Sequence, residues 1–190
     1  QNRILAGMGA KMFNFETLDK RRTYIGLQYG TSFIAKQIKK YSRMYAPNSK
    51  EIPTHVCGLK FRYGTWWIFE SHAKGFKNLG IPAGVRRIKR ELWEQIEDKG
   101  EFCVFPMKLS IKRLEDYIGQ PYGTGDIKNL MKASIFHNNG KQKDRQGLIC
   151  SEYMALCNDE ICKFYDLPAH CITPAHFQNF IDTKEIKGAL

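Results

Sequence analysis

An α+β fold, an antiparallel sheet packed against helices within one domain, is what the sequence predicts, and three observations carry that expectation. Strand-like and helix-like segments are interspersed along the chain. Two β patterns, Thr54 to Arg62 and Thr65 to Glu70, are separated only by the turn-like Tyr63-Gly64, as in an antiparallel hairpin. The 190 residues are 43% hydrophobic, enough for one buried core, and no Pro-, Ser- or Gly-rich stretch divides them into differently composed halves. A single domain over residues 1–190 is therefore expected, without internal repeats.

Each element has a local justification. Thr23 to Gln28 reads as a strand, and Gly30-Thr31-Ser32 introduces a helix from about Phe33 to Met44 with Phe33, Ile34, Ile38 and Tyr41 at helical spacing. Pro47 and Pro53 bracket a loop ahead of the hairpin. With Tyr63 and Gly64 as a two-residue turn, Arg62 pairs with Thr65, Cys57 faces Glu70, and His55 faces His72. Glu70 and His72 then share a sheet face with His55.

Gly80 to Val85 reads as a loop or edge segment, and Arg87 to Lys99 as a helix carrying Ile88, Leu92 and Ile96, stopped by Gly100. Cys103 to Met107 is a strand candidate, and Ser110 is placed to cap a helix running to about Ile118. A turn-rich loop follows at Gly119 to Gly125, then a short helix at Asp126 to Met131 and a polar loop at Asn138-Asn139-Gly140. Cys150 to Cys157 reads as a helix that opens with Cys150.

The net charge of +11 implies attraction to something anionic: nucleic acid, a membrane surface or an acidic substrate. Its basic groups, Lys20-Arg21-Arg22, Lys39-Lys40, Arg86-Arg87-Ile88-Lys89-Arg90 and Lys141-Gln142-Lys143, read as solvated surface. No nucleic-acid motif accompanies them, so a nucleic-acid partner is not expected. Spanning a bilayer takes about 18 consecutive apolar residues. Runs such as Trp66-Trp67-Ile68-Phe69 are far shorter, which predicts a soluble chain with at most peripheral membrane contact. Ile4 to Ala10 is interrupted at Lys11 and makes a poor signal peptide.

Six cysteines, at 57, 103, 150, 157, 162 and 171, include no CxxC pair, so neither a zinc site nor a redox motif is expected, and no cofactor is implied. Cysteines scattered through apolar segments fit small buried residues in a reducing compartment, and a cytoplasmic location is the corresponding expectation.

One cysteine is placed for chemistry. A helix N-terminus stabilises a thiolate through free N–H groups and the positive end of the helix dipole, and Cys150 holds that position. Taken alone, a cysteine opening a helix is more often simply buried, so the reading needs a base and a third group to orient it. His55 begins a strand rich in apolar residues, with Glu70 or His72 across the hairpin to hold its far nitrogen. Read alone, His55 is an edge histidine without a role. His170 and His176 are competing bases, although neither lies in a β pattern.

A family resemblance joins these pieces. Gly119-Gln120-Pro121-Tyr122-Gly123-Thr124-Gly125, Cys150-Ser151-Glu152 and Thr54-His55-Val56-Cys57-Gly58-Leu59 resemble the turn, nucleophile helix and histidine strand of NlpC-type cell-wall peptidases. Here the histidine strand precedes the cysteine helix. That order is similar to the circularly permuted papain-like branch, the YiiX-like hydrolases and the lecithin retinol acyltransferase group. Phe69-Glu70-Ser71 and Ile172-Thr173-Pro174-Ala175-His176-Phe177 extend the resemblance, which spans about residues 22 to 181. Cys57 departs from it, standing where the family runs from His-Val to Gly.

The resemblance implies a permuted papain-like fold and a cysteine peptidase or amidase. Cys150 would be the nucleophile, His55 the base and Glu70 the orienting group, with His72 as the fallback orienter. Tyr122 and Ser151 would line the oxyanion and substrate pocket, together with the backbone N–H of Cys150. Tyr122 also reads as a plain turn residue. Implied substrates are a peptide, a cell-wall fragment or an acyl ester, an anionic one included. The same fold also admits a lipid acyltransferase or thioesterase, and a non-catalytic basic binding protein stands as the reading from another class.

Overall fold

The computed structural model describes residues 14–96, 101–123 and 147–186. Five strands, β1 (Thr23–Tyr29), β2 (His55–Arg62), β3 (Thr65–His72), β4 (Gly84–Lys89) and β5 (Glu101–Pro106), form one antiparallel sheet in the order β4-β3-β2-β1-β5. The helices within the described residues are α1 (Phe33–Ser42), α2 (Arg90–Trp93), α3 (Ile111–Asp116), α4 (Cys150–Cys157), α5 (Asp159–Tyr165) and α6 (Pro174–Ile186). The architecture is α+β, as the interspersed patterns predict.

The β2–β3 hairpin turns at Tyr63 and Gly64, with φ of 52° and 80°. Both residues are left-handed, as the tight turn that matches strand twist requires. Arg62 pairs with Thr65 and the register continues to Gly58 opposite Phe69, the alignment that the two-residue turn implies.

Side-chain alternation along the strands divides the core in two. On one face Ile25, Leu27, Val56, Phe69, Val85 and Phe105 meet Leu114, Tyr153, Met154, Phe177 and Ile181 from the helices. On the other, Tyr24, Cys57, Leu59, Trp66, Ile68 and Ile88 pack beneath Phe15, Leu18, Ile81 and Trp93. Each large apolar side chain so buried contributes about 1.5–3 kcal/mol before entropy is charged.

Short polar side chains fix the helix starts. Ser32 accepts the Ala35 N–H at 3.2 Å and Ser110 the Arg113 N–H at 3.4 Å. Asn158 accepts from Glu160 and Ile161 at 3.0 and 2.8 Å while donating to the Lys108 carbonyl, which ties α5 to the chain after β5.

One element differs from expectation. The stretch predicted as a helix from Arg87 to Lys99 is β4 as far as Lys89, followed by the single turn of α2. Ile88 and Leu92, spaced as if on one helix face, part company: Ile88 is buried in the sheet, whereas Leu92 is 36% exposed. The faintly apolar segment at Ile4 to Ala10, the end of that predicted helix at 97–100, the end of the turn-rich loop at 124–125, the helix at Asp126 to Met131, the loop at Asn138-Asn139-Gly140 and the basic group Lys141-Gln142-Lys143 lie outside the described residues. Among the described residues, no helix is long and apolar enough to cross a membrane.

Candidate active site

Three elements converge at one end of β2. His55 is the first residue of β2, Glu70 comes from β3, and Cys150 is the first residue of α4, which packs on β2 and β3. A glycine permits that close approach. A Cβ on Gly58 would stand 2.9 Å from Cδ1 of Leu109 and 3.2 Å from Sδ of Met154, so a larger residue would have to displace those side chains, the second of which belongs to α4. The Tyr153 hydroxyl donates to the Leu114 carbonyl at 2.6 Å, fixing the rotation of α4. Ser71 donates to the Leu148 carbonyl, anchoring the segment that leads into Cys150.

The Cys150 sulfur and the His55 ring lie close enough to act on one another, and the backbone N–H groups of Val56 and Ser151 lie near enough to favour its thiolate. Nε2 of His55 is 3.0 Å from Oε2 of Glu70, which leaves Nδ1 to serve the thiol. Oε1 of Glu70 accepts two N–H bonds from Arg86, from Nε at 2.9 Å and Nη2 at 2.6 Å. Nη1 of Arg86 donates to the carbonyls of Lys74 at 2.8 Å and Pro82 at 2.5 Å. Side-chain exposure is 13% for His55, 4% for Glu70 and 3% for Arg86, so the line runs from a barely accessible thiol into the protein.

Burial opposes every charge in this line, and the neighbours outweigh it. Burial works against the Cys150 thiolate, but the positive His55 ring, its hydrogen bond and the N–H groups of Val56 and Ser151 bring the thiol below its ordinary value. Burial likewise disfavours the His55 imidazolium. The thiolate charge and hydrogen bond of Cys150, then the hydrogen bond and charge of Glu70, carry it well above the usual histidine range. Glu70 is held below the usual carboxylate range despite its burial, by the hydrogen bond and charge of His55 and the charge of Arg86. The arrangement favours a thiolate–imidazolium pair steadied by a carboxylate.

Other thiols lean the opposite way. Burial raises Cys57 well above its ordinary value, pushes Cys157 up to about 12 and raises Cys162. Cys57 also lies close enough to feel the charges of Glu70 and Cys150.

His72 sits beside the line without joining it. Its ring stands edge-on to that of His55 with centroids 5.3 Å apart, and its Nδ1 accepts the Lys74 N–H at 3.0 Å. Glu70, rather than His72, contacts the His55 ring nitrogen. Ser151 is completely buried and meets the sulfur through its backbone N–H. Tyr122 is half-buried, and its backbone bridges to Leu148, two residues before Cys150. His176 is committed elsewhere: its Nδ1 accepts the Thr173 N–H at 3.0 Å, and its ring lies between Tyr45 and Tyr165. His170 lies in the short turn Ala169–Cys171 ahead of α6.

Arg86 is the participant that sequence reasoning missed. It belongs to a basic group expected to face solvent, yet its neighbour Arg87 is exposed while Arg86 points into the protein. Strand alternation was the signal that could have found it, since a residue two positions from the apolar Ile88 shares its buried face.

Other basic residues rim a cleft of about 530 Å³ at the opposite end of β2, floored by Pro106, Met107, Ile111 and Phe180. Lys60 there caps the carbonyls of Lys20, Arg21 and Arg22, and Lys184 pairs with Glu160. Among the described residues, no group of three or more His, Cys, Asp or Glu is arranged to hold a metal ion.

The site is defined as a buried thiol–imidazole–carboxylate line ending on a guanidinium. No protein-family model matches the chain, and no curated protein matches it either.

Proposed function

We propose that the protein is a cysteine hydrolase of permuted papain-like fold, acting on an amide or ester through Cys150, His55 and Glu70. The observation that carries this reading is the Cys150 thiol within reach of a histidine whose far nitrogen is held 3.0 Å from a buried carboxylate. The Cys150 thiolate attacks the substrate carbonyl, forming a carbon–sulfur bond and an oxyanion. As that oxyanion collapses, the bond to the leaving amine or alcohol breaks, and the His55 imidazolium gives it a proton. Water, deprotonated by the now neutral His55, attacks the thioester and releases the acid with the thiolate restored.

Substrate candidates are a peptide, a cell-wall fragment or an acyl ester, and transfer of the acyl group to a nucleophile other than water is the acyltransferase variant of the same chemistry. A cytoplasmic, reducing setting suits a nucleophile that must stay a thiol, and no disulfide joins any of the six cysteines. The second reading, a binder of anionic partners, draws on the cationic rim of the cleft at the far end of β2.

Incubation with an activated acyl ester, followed by intact-mass measurement, tests the proposal. A single thioester adduct mapping to Cys150, absent in Cys150→Ala and slow to form in His55→Ala, is the expected result. An unmodified wild-type protein, or adducts spread over several cysteines, would overturn it.

A further inference from the structure

We propose that Arg86 is a positioning residue of this site: its fork on Oε1 of Glu70 turns the carboxylate so that Oε2 meets His55. The inference rests on the reading of Cys150 as nucleophile and adds a fourth member to its machinery, one that touches neither the thiol nor a substrate.

Stereochemistry leads to this role. Two N–H groups converge on Oε1, so Oε2 is the oxygen left to His55, and the carboxylate has a single orientation. The guanidinium is fixed in turn from outside the pair. Nη1 holds the Lys74 and Pro82 carbonyls, the Phe76 ring lies 5.4 Å from the guanidinium carbon, and Phe76 bridges to Ile81 to close the segment between them. Arg86 therefore transmits the shape of residues 74–82 to the orienting carboxylate.

A purely structural role explains less. Burying an ion pair costs several kcal/mol per ion, and apolar replacements of such pairs are often neutral or stabilising, so stability alone gives little reason for a 3% exposed arginine facing a 4% exposed glutamate. Stapling the 74–82 segment requires only Nη1, whereas Nε and Nη2 are spent on Glu70. The ionisable groups around the carboxylate are His55 and Cys57 from β2, His72 from β3, Arg86 from β4 and Cys150 from α4. Arg86 is the one guanidinium among them, and two of its N–H groups are aimed at the carboxylate. Without it, Glu70 takes up a proton at higher pH, His55 loses its anionic support, and the thiolate is protonated sooner.

The test is the rate of Cys150 alkylation by iodoacetamide as a function of pH, mapped by mass and confined to the folded fraction of wild type, Arg86→Gln and Arg86→Lys. Expected is an acid limb in R86Q displaced upward by about one pH unit, equivalent to about tenfold slower labelling on that limb. R86K, which keeps the charge but lacks the fork, should lie between. Loss of a staple would instead lower the amount of folded protein and leave the limb where it was. A folded R86Q with the wild-type acid limb overturns the proposal. Should R86Q not fold, R86K decides: a displaced limb supports the fork, and a coincident one overturns it. Absence of preferential Cys150 labelling in wild type would instead overturn the nucleophile reading, an outcome visible before any arginine variant is made.

Discussion

Oε2 of Glu70 lies 3.0 Å from Nε2 of His55, joining neighbouring strands of one sheet beneath a thiol delivered by a helix. Because the same carboxylate also receives Arg86, its charge supports two cations, and removing that charge has consequences for both reactivity and stability.

Glu70→Gln keeps the shape and removes the charge. His55 then loses its anionic support, and Cys150 alkylation at neutral pH should slow by about tenfold to a hundredfold. Arg86 is left buried beside a neutral amide, which should cost about 3 kcal/mol. Urea denaturation and alkylation rates on the same preparation check both effects. An unchanged alkylation rate would remove Glu70 from the site.

Stability should fall on mild acidification. Burial holds His176 at about 4, against an ordinary value of 6.5, so between those values the unfolded chain binds a proton that the folded chain does not. Stability on this account declines as pH drops from about 6.5 to about 4, by on the order of 2–3 kcal/mol at most for this residue. His72, lowered to about 4 by burial and the charges of His55 and Arg86, acts in the same direction. Glu70 extends the decline: its contribution is complete above its ordinary value of 4.5 and is lost as pH falls through its lower folded value. Urea midpoints from pH 7 to 4 measure the slope, and His176→Gln should flatten it by up to one proton.

Gly84→Ala should be strongly destabilising. Gly84 has φ of +96°, and a Cβ there would meet the Gln120 carbonyl oxygen at 2.4 Å and Cα of Pro121 at 3.3 Å. The obstacle is the backbone of Gln120 and Pro121, which cannot swing aside as a side chain could, and the site lies two residues from Arg86. A loss of about 2 kcal/mol or more is expected, read as a drop of several degrees in Tm.

The sequence revealed the hairpin and its pairing, because a two-residue turn and period-two alternation are local properties. That pairing brought Glu70 and His72 to the side of His55. It could not decide between them, since the choice depends on Arg86, and Arg86 comes from a strand whose charges obscured its alternation. Ile88 and Leu92 fit a helix as well as a strand followed by a turn, and only pairing with β3 resolves the difference. The placement of β1 between β2 and β5 was equally hidden, as it joins residues as distant as Gln28 and Phe102. Cys150 and His55 were nameable from helix and strand patterns, but their meeting depends on α4 settling over Gly58, a consequence of packing.

The most direct test of the central claim is to treat the native protein briefly with iodoacetamide at neutral pH and quantify labelling at each cysteine by peptide mass. The account predicts that Cys150, despite its 6% exposure, is modified well ahead of Cys57, Cys157 and Cys162, and that His55→Ala slows it at least tenfold. Equal labelling of the cysteines, or a Cys150 rate indifferent to His55, would contradict it.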